Sequence, residues 1–457
     1  MTASGTASPQ QLRASESEIP LPFAVDPGDG SMLVVGEIAR LLPGRRLAGV
    51  ADWQGRRVFV KLFYGSGAVR QGQRERQGLE RLAAAGIPTP ALVHAGPWSA
   101  DAYLVVTDYV PDATPLAEEA APTQLLAAFA LLGKLHRAGL GHRDAHLGNF
   151  LATPAGILLI DGDGIYAARD NAALLDNFAL FCAQMPSRWP VLCAPALTAY
   201  GRPLDASRVR AAVDKALARR LAAYLAKSLR NCSEFSILRD TRRWSVVRRD
   251  AAADLKALLA DPDAAMRQGE ILKDGRTCTV ARARAGDRPV VIKRYNLKNW
   301  RHAVSRSWRP SRAWNSWIEG NRLGMLGIPT AQPLALVEER LGPLRGRAFL
   351  VAADVDGPSL RELLDPDDSP EGAVAESLQS LLDALYRHRI VHGDLKATNL
   401  LWHGGAVHLI DLDAQMQQHR PWRFRRGWAR DRERLLANWP PDSSLSRWLA
   451  AIVPGGD

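Results

Sequence analysis

The chain has 457 residues, 47% hydrophobic and 23% charged, with a formal net charge of +11. That length suffices for two or three domains with separate cores, and the balance is that of a globular chain, which excludes a disordered or fibrous class. No stretch approaches the ~20 uninterrupted apolar residues of a membrane-spanning helix. Cys182, Cys193, Cys232 and Cys278 show no CxxC spacing, which predicts reduced thiols in a cytoplasmic protein and no zinc site. The basic excess favours an anionic partner: a nucleotide, an acidic membrane face, nucleic acid or a phosphorylated substrate.

Residues 1–30 lack the basic start and apolar core of a secretory signal, and their Ser, Thr, Ala and Pro content predicts a disordered tail. From Ser31 onward, short β-rich runs break at Pro43-Gly44, Gly49 and Gln54-Gly55, as in a meander of hairpins. Val58 to Phe63 alternates as a strand with Lys61 inside it. Such a lysine ordinarily snorkels to solvent; in a kinase small lobe it contacts nucleotide phosphates and pairs with a helix glutamate. Glu75 opens a helix that places Leu79 and Leu82 on one face, and it is the expected partner. No GxGxxG is present, so backbone N–H groups around Leu42 to Arg46 are expected to cover the phosphates. Ala102 to Val110 reads as a strand entering an interlobe hinge, with adenine against Thr107, Asp108 and Tyr109. A long Ala/Leu helix, Thr123 to Arg137, follows.

Gly141 to Asp161 then carries three polar residues, Asp144, Asn149 and Asp161, in apolar surroundings. His142-Arg143-Asp144 with Asn149 has the spacing of a kinase catalytic loop, in which the Asp accepts a hydroxyl proton and the Asn holds Mg²⁺. The strand Ile157 to Ile160 delivers Asp161 where a second metal-binding carboxylate belongs. The chain looks helical again by Ala172, which leaves no room for the Ala-Pro-Glu segment that docks peptides and favours a small or sugar-like acceptor. From Asp205 to Arg230 a basic amphipathic helix either lies on an acidic membrane or closes the first large lobe, with a domain boundary near Asn231.

The pattern then recurs. Val391 to Asp411 repeats the loop as Asp394, Asn399 and Asp411, with the same separation between the two aspartates as in the first copy. Gly269 to Val280 reads as a hairpin with an Asp274-Gly275 turn, Val290 to Tyr295 as the lysine strand carrying Lys293, and Trp317 to Leu326 as the helix carrying Glu319. Glu75 is preferred over Glu80 because the same Glu-x3-Leu-x2-Leu pattern recurs at Glu319, Leu323 and Leu326. Arg347 to Asp354 repeats the hinge strand with Ala352, Ala353 and Asp354 at its end, and a helix from Ala373 to His388 leads to the second loop. Between Arg288 and Glu319, Lys298, Arg301, Arg306, Arg309 and Arg312 alternate with Trp300, Trp308, Trp314 and Trp317. That run suits an anionic lipid surface, single-stranded nucleic acid, or a helix with Trp packed inward.

VFVKLF, GHRDAHLGNFL and LLID in the first copy, with LKDGRTCTV, VVIKRYN, GIPTAQPLALVE, HGDLKATNLL and LIDLD in the second, resemble the lipopolysaccharide kinase family, the bacterial Kdo and core-heptose kinases. The resemblance covers most of residues 31–440 and implies an α+β chain of two tandem protein-kinase-like bilobal domains, 31–230 and 231–457, each with a small β-rich lobe and a helical lobe. It implies ATP and Mg²⁺, and a lipopolysaccharide core or lipid A-core precursor as acceptor. It also implies a cytoplasmic, peripheral location against the anionic inner membrane, with no nucleic acid partner. Asp144 and Asp394 would be the bases, Lys61 and Lys293 the phosphate contacts, Glu75 and Glu319 their positioners, and Asn149, Asp161, Asn399 and Asp411 the metal ligands. Asp163 and Asp413 either assist or lie on the surface; His146 and Lys396 share one slot and differ between copies. The alternatives are an atypical serine/threonine protein kinase and an inactive tandem pseudokinase scaffold.

Overall fold

A computed structural model describes residues 6–15, 19–275, 277–296, 310–341 and 344–455. The chain is α+β and divides into two compact units, Met1–Ala218 and Arg219–Asp457.

The first unit starts earlier than its composition suggests. Ser8 caps helix α1 (Pro9–Ala14) through a capping box with Gln11, and Pro9 sits in the first turn, where its missing N–H costs nothing. Leu12 is buried with Phe23 and Val25 of strand β1 (Phe23–Val25), and Arg13 pairs with Asp101 at 2.5 Å. The expected tail is therefore part of the fold in its described residues, because three apolar side chains and a cap outweigh the polar composition around them.

β1 edges a six-stranded antiparallel sheet with β2 (Leu33–Leu42), β3 (Arg46–Trp53), β4 (Arg56–Phe63), β5 (Leu92–Ser99) and β6 (Ala102–Asp108), in the order β1-β2-β3-β4-β6-β5. The turns fall at Pro43-Gly44 and Gln54-Gly55, but Gly49 lies inside β3. A Cβ there would come within 2.2 Å of the Glu37 carbonyl, so this glycine serves a close strand approach, not a turn. Helix α2 (Ala68–Ala84) buries Leu79 and Leu82 beneath the sheet. Below come β7 (Thr114–Pro115), α3 (Pro122–Arg137), β8 (Leu140–His142), β9 (Phe150–Thr153), β10 (Gly156–Leu159), β11 (Ile165–Ala167), α4 (Asn171–Cys182) and α5 (Trp189–Tyr200). Their core is built on Phe129, Phe150, Phe178 and Phe181.

The division between Ala218 and Arg219 falls inside helix α6 (Ala206–Lys227), ahead of the boundary expected near Asn231. Val209 and Val213 pack into the first unit's core, while Tyr224 packs against Phe235 in the second. Its apolar face is covered by protein, which answers the membrane alternative for this helix.

The second unit adds a hairpin, β12 (Phe235–Arg239) and β13 (Arg243–Arg248), with α7 (Ala252–Ala260) and α8 (Pro262–Gln268), ahead of the expected elements. With β14 (Glu270–Asp274), β15 (Cys278–Ala285), β16 (Arg288–Tyr295), β17 (Pro333–Leu341) and β18 (Leu344–Ala353) it forms a seven-stranded sheet in the order β12-β13-β17-β18-β16-β15-β14. Helix α9 (Arg312–Met325) lies between β16 and β17 in the chain. Trp317 at its centre is fully buried and donates to the Ser228 carbonyl at 3.3 Å, and Trp314 lies 4.9 Å from Trp244. These two tryptophans pack inward; Lys298, Arg301, Arg306, Arg309, Trp300 and Trp308 lie outside the described residues. The helical half holds α10 (Leu360–Leu363), α11 (Gly372–Arg387), β19 (Ile390–Val391), β20 (Leu400–His403), β21 (Ala406–Leu409), β22 (Met416–Gln417), α12 (Pro421–Leu436) and α13 (Ser444–Ile452). All four cysteines are free, and among the described residues no helix is long and apolar enough to cross a membrane.

Candidate active sites

In the first unit, β4 pairs Lys61 with Ala48 and Val105 in the sheet interior, while its neighbours Val60 and Leu62 turn to the apolar core. The lysine therefore faces α2 and the loop after β10. Its Nζ lies 2.7 Å from Glu75 Oε1 and 2.8 Å from Asp161 Oδ1. Glu75 is almost fully buried, and its carboxylate also accepts the Gly162 N–H at 3.2 Å and the Asp163 N–H at 2.9 Å. Burial pulls the Lys61 ammonium down, but Glu75 and Asp161 outweigh it and its pKa ends above the ordinary lysine range. Burial pushes Asp161 up, yet the Lys61 charge and hydrogen bond hold it at about 2. Both groups stay ionised at neutral pH.

Asp161 sits in left-handed backbone, φ 71° and ψ 73°, and Asp411 repeats this at φ 61° and ψ 60°. A non-glycine residue there costs of order 1 kcal/mol and persists where its surroundings over-determine it. The surroundings here centre on His142: its Nε2 meets the Asp161 carbonyl at 3.0 Å, and its Nδ1 accepts the Asp144 N–H at 3.1 Å. Since Nδ1 accepts, Nε2 carries the hydrogen, and burial lowers the pKa of this neutral ring. The Asn149 amide donates to the Asp144 carbonyl at 2.8 Å, and Ile160 N–H donates to the Asn149 carbonyl at 2.9 Å, so loop and strand end are latched together. The Asp144 carboxylate itself is 72% exposed, with His146 Nε2 at 3.6 Å.

Asn177 on α4, which sequence reasoning missed, accepts the His142 N–H at 3.1 Å and donates to the His142 carbonyl at 2.6 Å. Its counterpart in the second unit is Asp431 on α12, fully buried, which accepts from His392 N–H at 2.7 Å and Gly393 N–H at 3.0 Å. Both stand more than thirty positions past the loop they hold. No local signal marks them beyond a lone polar residue on an apolar helix face.

The second unit repeats the latches: Asp394 N–H to His392 Nδ1 at 3.3 Å, Asn399 Nδ2 to the Asp394 carbonyl at 2.9 Å, and Ile410 N–H to the Asn399 carbonyl at 3.0 Å. Lys396 holds Asp394 at 2.9 Å. Lys293 lies 2.6 Å from Asp411 and 2.8 Å from Asp413. Burial lowers its pKa, but these carboxylates raise it overall, and the lysine in turn holds Asp411 below the usual range against its own burial.

Glu319 is not the partner of Lys293. Its carboxylate meets Arg322 at 3.0 Å and Gln415 at 3.3 Å. The Gly-Ile-Pro-Thr that follows each helix, at 86–89 and 327–330, sets the true register: Glu75 falls on Ser316, Arg74 on Asn315 and Gly78 on Glu319. The Leu-x2-Leu pattern misled because a three-residue shift keeps nearly the same helix face while moving about 4.5 Å along the axis.

Thr107 and Asp108 lie at the end of β6 and Ala352 and Ala353 at the end of β18, with Tyr109 and Asp354 just past them. The N–H groups of Asp108, Ala353 and Asp354 are donated to the carbonyls of Ala91, Gln332 and Pro289. Asp354 is ion-paired with Arg282 at 2.8 Å, Tyr109 lies under Arg57 at 4.5 Å, and Thr107 and Ala352 remain paired in their sheets.

Among the described residues no group of three or more His, Cys, Asp and Glu gathers as a metal cage. Asp161 with Asn149, and Asp411 with Asn399, each offer one carboxylate and one amide. That donor set fits Mg²⁺, which keeps several waters and shares phosphate oxygens, and does not fit zinc.

Residues 263–438 match the family described as "Lipopolysaccharide kinase (Kdo/WaaP) family". The second unit carries a lipopolysaccharide kinase family domain. That domain spans Lys293, Asp394, Asn399 and Asp411. No curated protein matches the chain. Similar solved structures include WaaP in complex with acyl carrier protein, 23% identical over 40% of this chain and 88% of that one, TM-score 0.32. Amicoumacin kinase hAmiN in complex with AMP-PNP, Ca²⁺ and Ami is 14% identical over 44% of this chain and 83% of that one, TM-score 0.30. Vaccinia related kinase 3 is 13% identical over 35% of this chain and 55% of that one, TM-score 0.27.

Proposed function

We propose that this chain is an ATP-dependent phosphotransferase that phosphorylates a sugar hydroxyl, of heptose or Kdo, in the lipopolysaccharide core. One observation carries the reading: the lipopolysaccharide kinase family domain gathers Lys293, Asp394, Asn399 and Asp411 through ion pairs and backbone latches at a single loop and strand end. Asp394 accepts the acceptor hydroxyl's proton and aims its oxygen at the γ-phosphate, while Lys293 holds the α- and β-phosphates. Asn399 and Asp411 would hold Mg²⁺, which supplies charge neutralisation on the triphosphate. Lys396 beside Asp394 adds a positive charge where the transferred group passes.

The first unit is read as a second kinase-like domain on the strength of its own Lys61–Glu75–Asp161 cluster and the same loop latches, with Asp144 as base and Asn149 and Asp161 as metal ligands. The two domains divide within α6. A cytoplasmic, peripheral position on the anionic inner membrane is supported by α12, whose outer face carries Arg423, Arg425, Arg426 and Arg430 beside Trp422, which is 52% exposed. Such a face suits phosphate headgroups and their apolar edge. Only nine residues separate Asp161 from α4 and Asp411 from α12, which leaves little chain to dock a peptide acceptor. Mass spectrometry of core oligosaccharide from a strain lacking this chain tests the proposal. Loss of core phosphate, restored by the wild-type chain and not by Asp144→Asn combined with Asp394→Asn, is expected; an unchanged phosphate content overturns it.

A further inference from the structure

Three positions around the lysine differ between the units in a concerted way. Where the first unit has Phe63, two residues past its lysine, the second has Tyr295; Arg74 becomes Asn315, Glu75 becomes Ser316, and only the aspartate two past the strand end, Asp163 or Asp413, is kept. In the first unit Arg74 holds that aspartate at 2.6 Å, and the helix glutamate holds the lysine. In the second, a serine is too short to reach the lysine and bears no charge, and no arginine occupies the position of Arg74. Asn315 instead donates to the carbonyls of Leu412, Asp413 and Gln415, fixing the backbone of that turn. The Asp413 carboxylate reaches Lys293 at 2.8 Å. Tyr295 donates to its Oδ1 at 2.5 Å and Ser316 at 2.9 Å, and Arg312 approaches Oδ2 at 4.0 Å.

We propose that Asp413 is the positioning residue for Lys293, standing in for the helix glutamate that the second unit lacks. This rests on the reading of Lys293 as the phosphate-binding lysine. Tyr295 and Ser316 fix the rotamer of Asp413, so a carboxylate borne on the strand-end turn does what Glu75 does from the helix. The lysine's position in this unit is consequently set by the same turn that carries Asp411, which α9 holds through Asn315 and Ser316.

The test uses the full chain carrying Lys61→Ala, which removes nucleotide binding by the first unit, and measures ATP·Mg affinity by calorimetry and KM for ATP. Asp413→Asn is expected to weaken both at least five-fold with kcat changed less. Ser316→Glu added to Asp413→Asn, which returns a carboxylate from the helix side, recovers most of that loss. Glu319→Gln leaves ATP affinity within two-fold while lowering the melting temperature, because Glu319 ties Arg322 and Gln415. A loss below five-fold, an equal loss in Glu319→Gln, or no recovery with Ser316→Glu overturns the proposal. If the Lys61→Ala parent binds no ATP, the functional reading fails instead. The anchor is then decided by a crystal structure of Asp413→Ala, in which Lys293 leaves its place beside Asp411; an unmoved Lys293 overturns it.

Discussion

Glu75→Gln in the first unit removes one charge and almost no volume, so its cost can be worked from the contacts. Breaking a buried pair by deleting one partner costs about 3–5 kcal/mol when the other charge is left alone. Lys61 keeps Asp161 at 2.8 Å, which retains roughly half of that pairing and leaves a loss of about 2 kcal/mol. The glutamate also accepts the Gly162 and Asp163 N–H groups. Glutamine has one acceptor oxygen where glutamate has two, so one of three donors is left facing an amide NH₂, adding about 1 kcal/mol. The total, about 3 kcal/mol, converts to a ~100-fold fall. In an Asp394→Asn background, which leaves only the first site, kcat/KM for ATP should drop by roughly that factor. Backbone hydrogen exchange at Gly162 and Asp163 should accelerate alongside. A kcat/KM within three-fold of the parent would refute the assignment of Glu75 as the lysine's anchor.

Asp144→Asn and Asp394→Asn should each reduce turnover at their own site by about 10²–10⁴-fold while shifting the melting temperature little, since both carboxylates are solvent-accessible; initial rates and calorimetric scans check this. Asp431→Ala leaves the His392 and Gly393 N–H groups buried without an acceptor, so both stability, by roughly 2–5 kcal/mol, and kcat should fall, with kcat falling because the Asp394 loop loses its support. His136, buried between Tyr200 and Asn177, has its pKa lowered to about 4 by burial. Below its unfolded value of 6.5 only the unfolded chain takes up this proton, so stability is complete above about pH 7 and declines until about pH 4, by roughly 3 kcal/mol in all. Melting curves of wild type and His136→Gln between pH 7.5 and 4.5 should show a shallower slope in the variant; parallel slopes would contradict the buried neutral ring.

Features set by short-range chemistry were legible in the sequence. The Asp-x4-Asn loops, the strands leading into Asp161 and Asp411, the lysine strands and the Pro43-Gly44 and Gln54-Gly55 turns all depend on residues within a few positions of one another. What escaped is set by contacts across the chain or by helix register. Asn177 and Asp431 act on loops more than thirty positions away, and nothing near them in sequence announces it. The helix at Pro9 and the strand at Phe23 are ordered by a sheet edge that composition cannot show. Glu319 was misplaced because helical periodicity fixes a face and leaves axial position free; the Gly-Ile-Pro-Thr repeat supplied the missing anchor.

The most direct test incubates the purified chain with γ-³²P-ATP, Mg²⁺ and lipopolysaccharide from a strain lacking it, then separates core oligosaccharide from protein. The account predicts label on the core sugar, abolished by Asp144→Asn combined with Asp394→Asn. Label confined to protein, or transfer to the sugar that survives Asp144→Asn combined with Asp394→Asn, would contradict it.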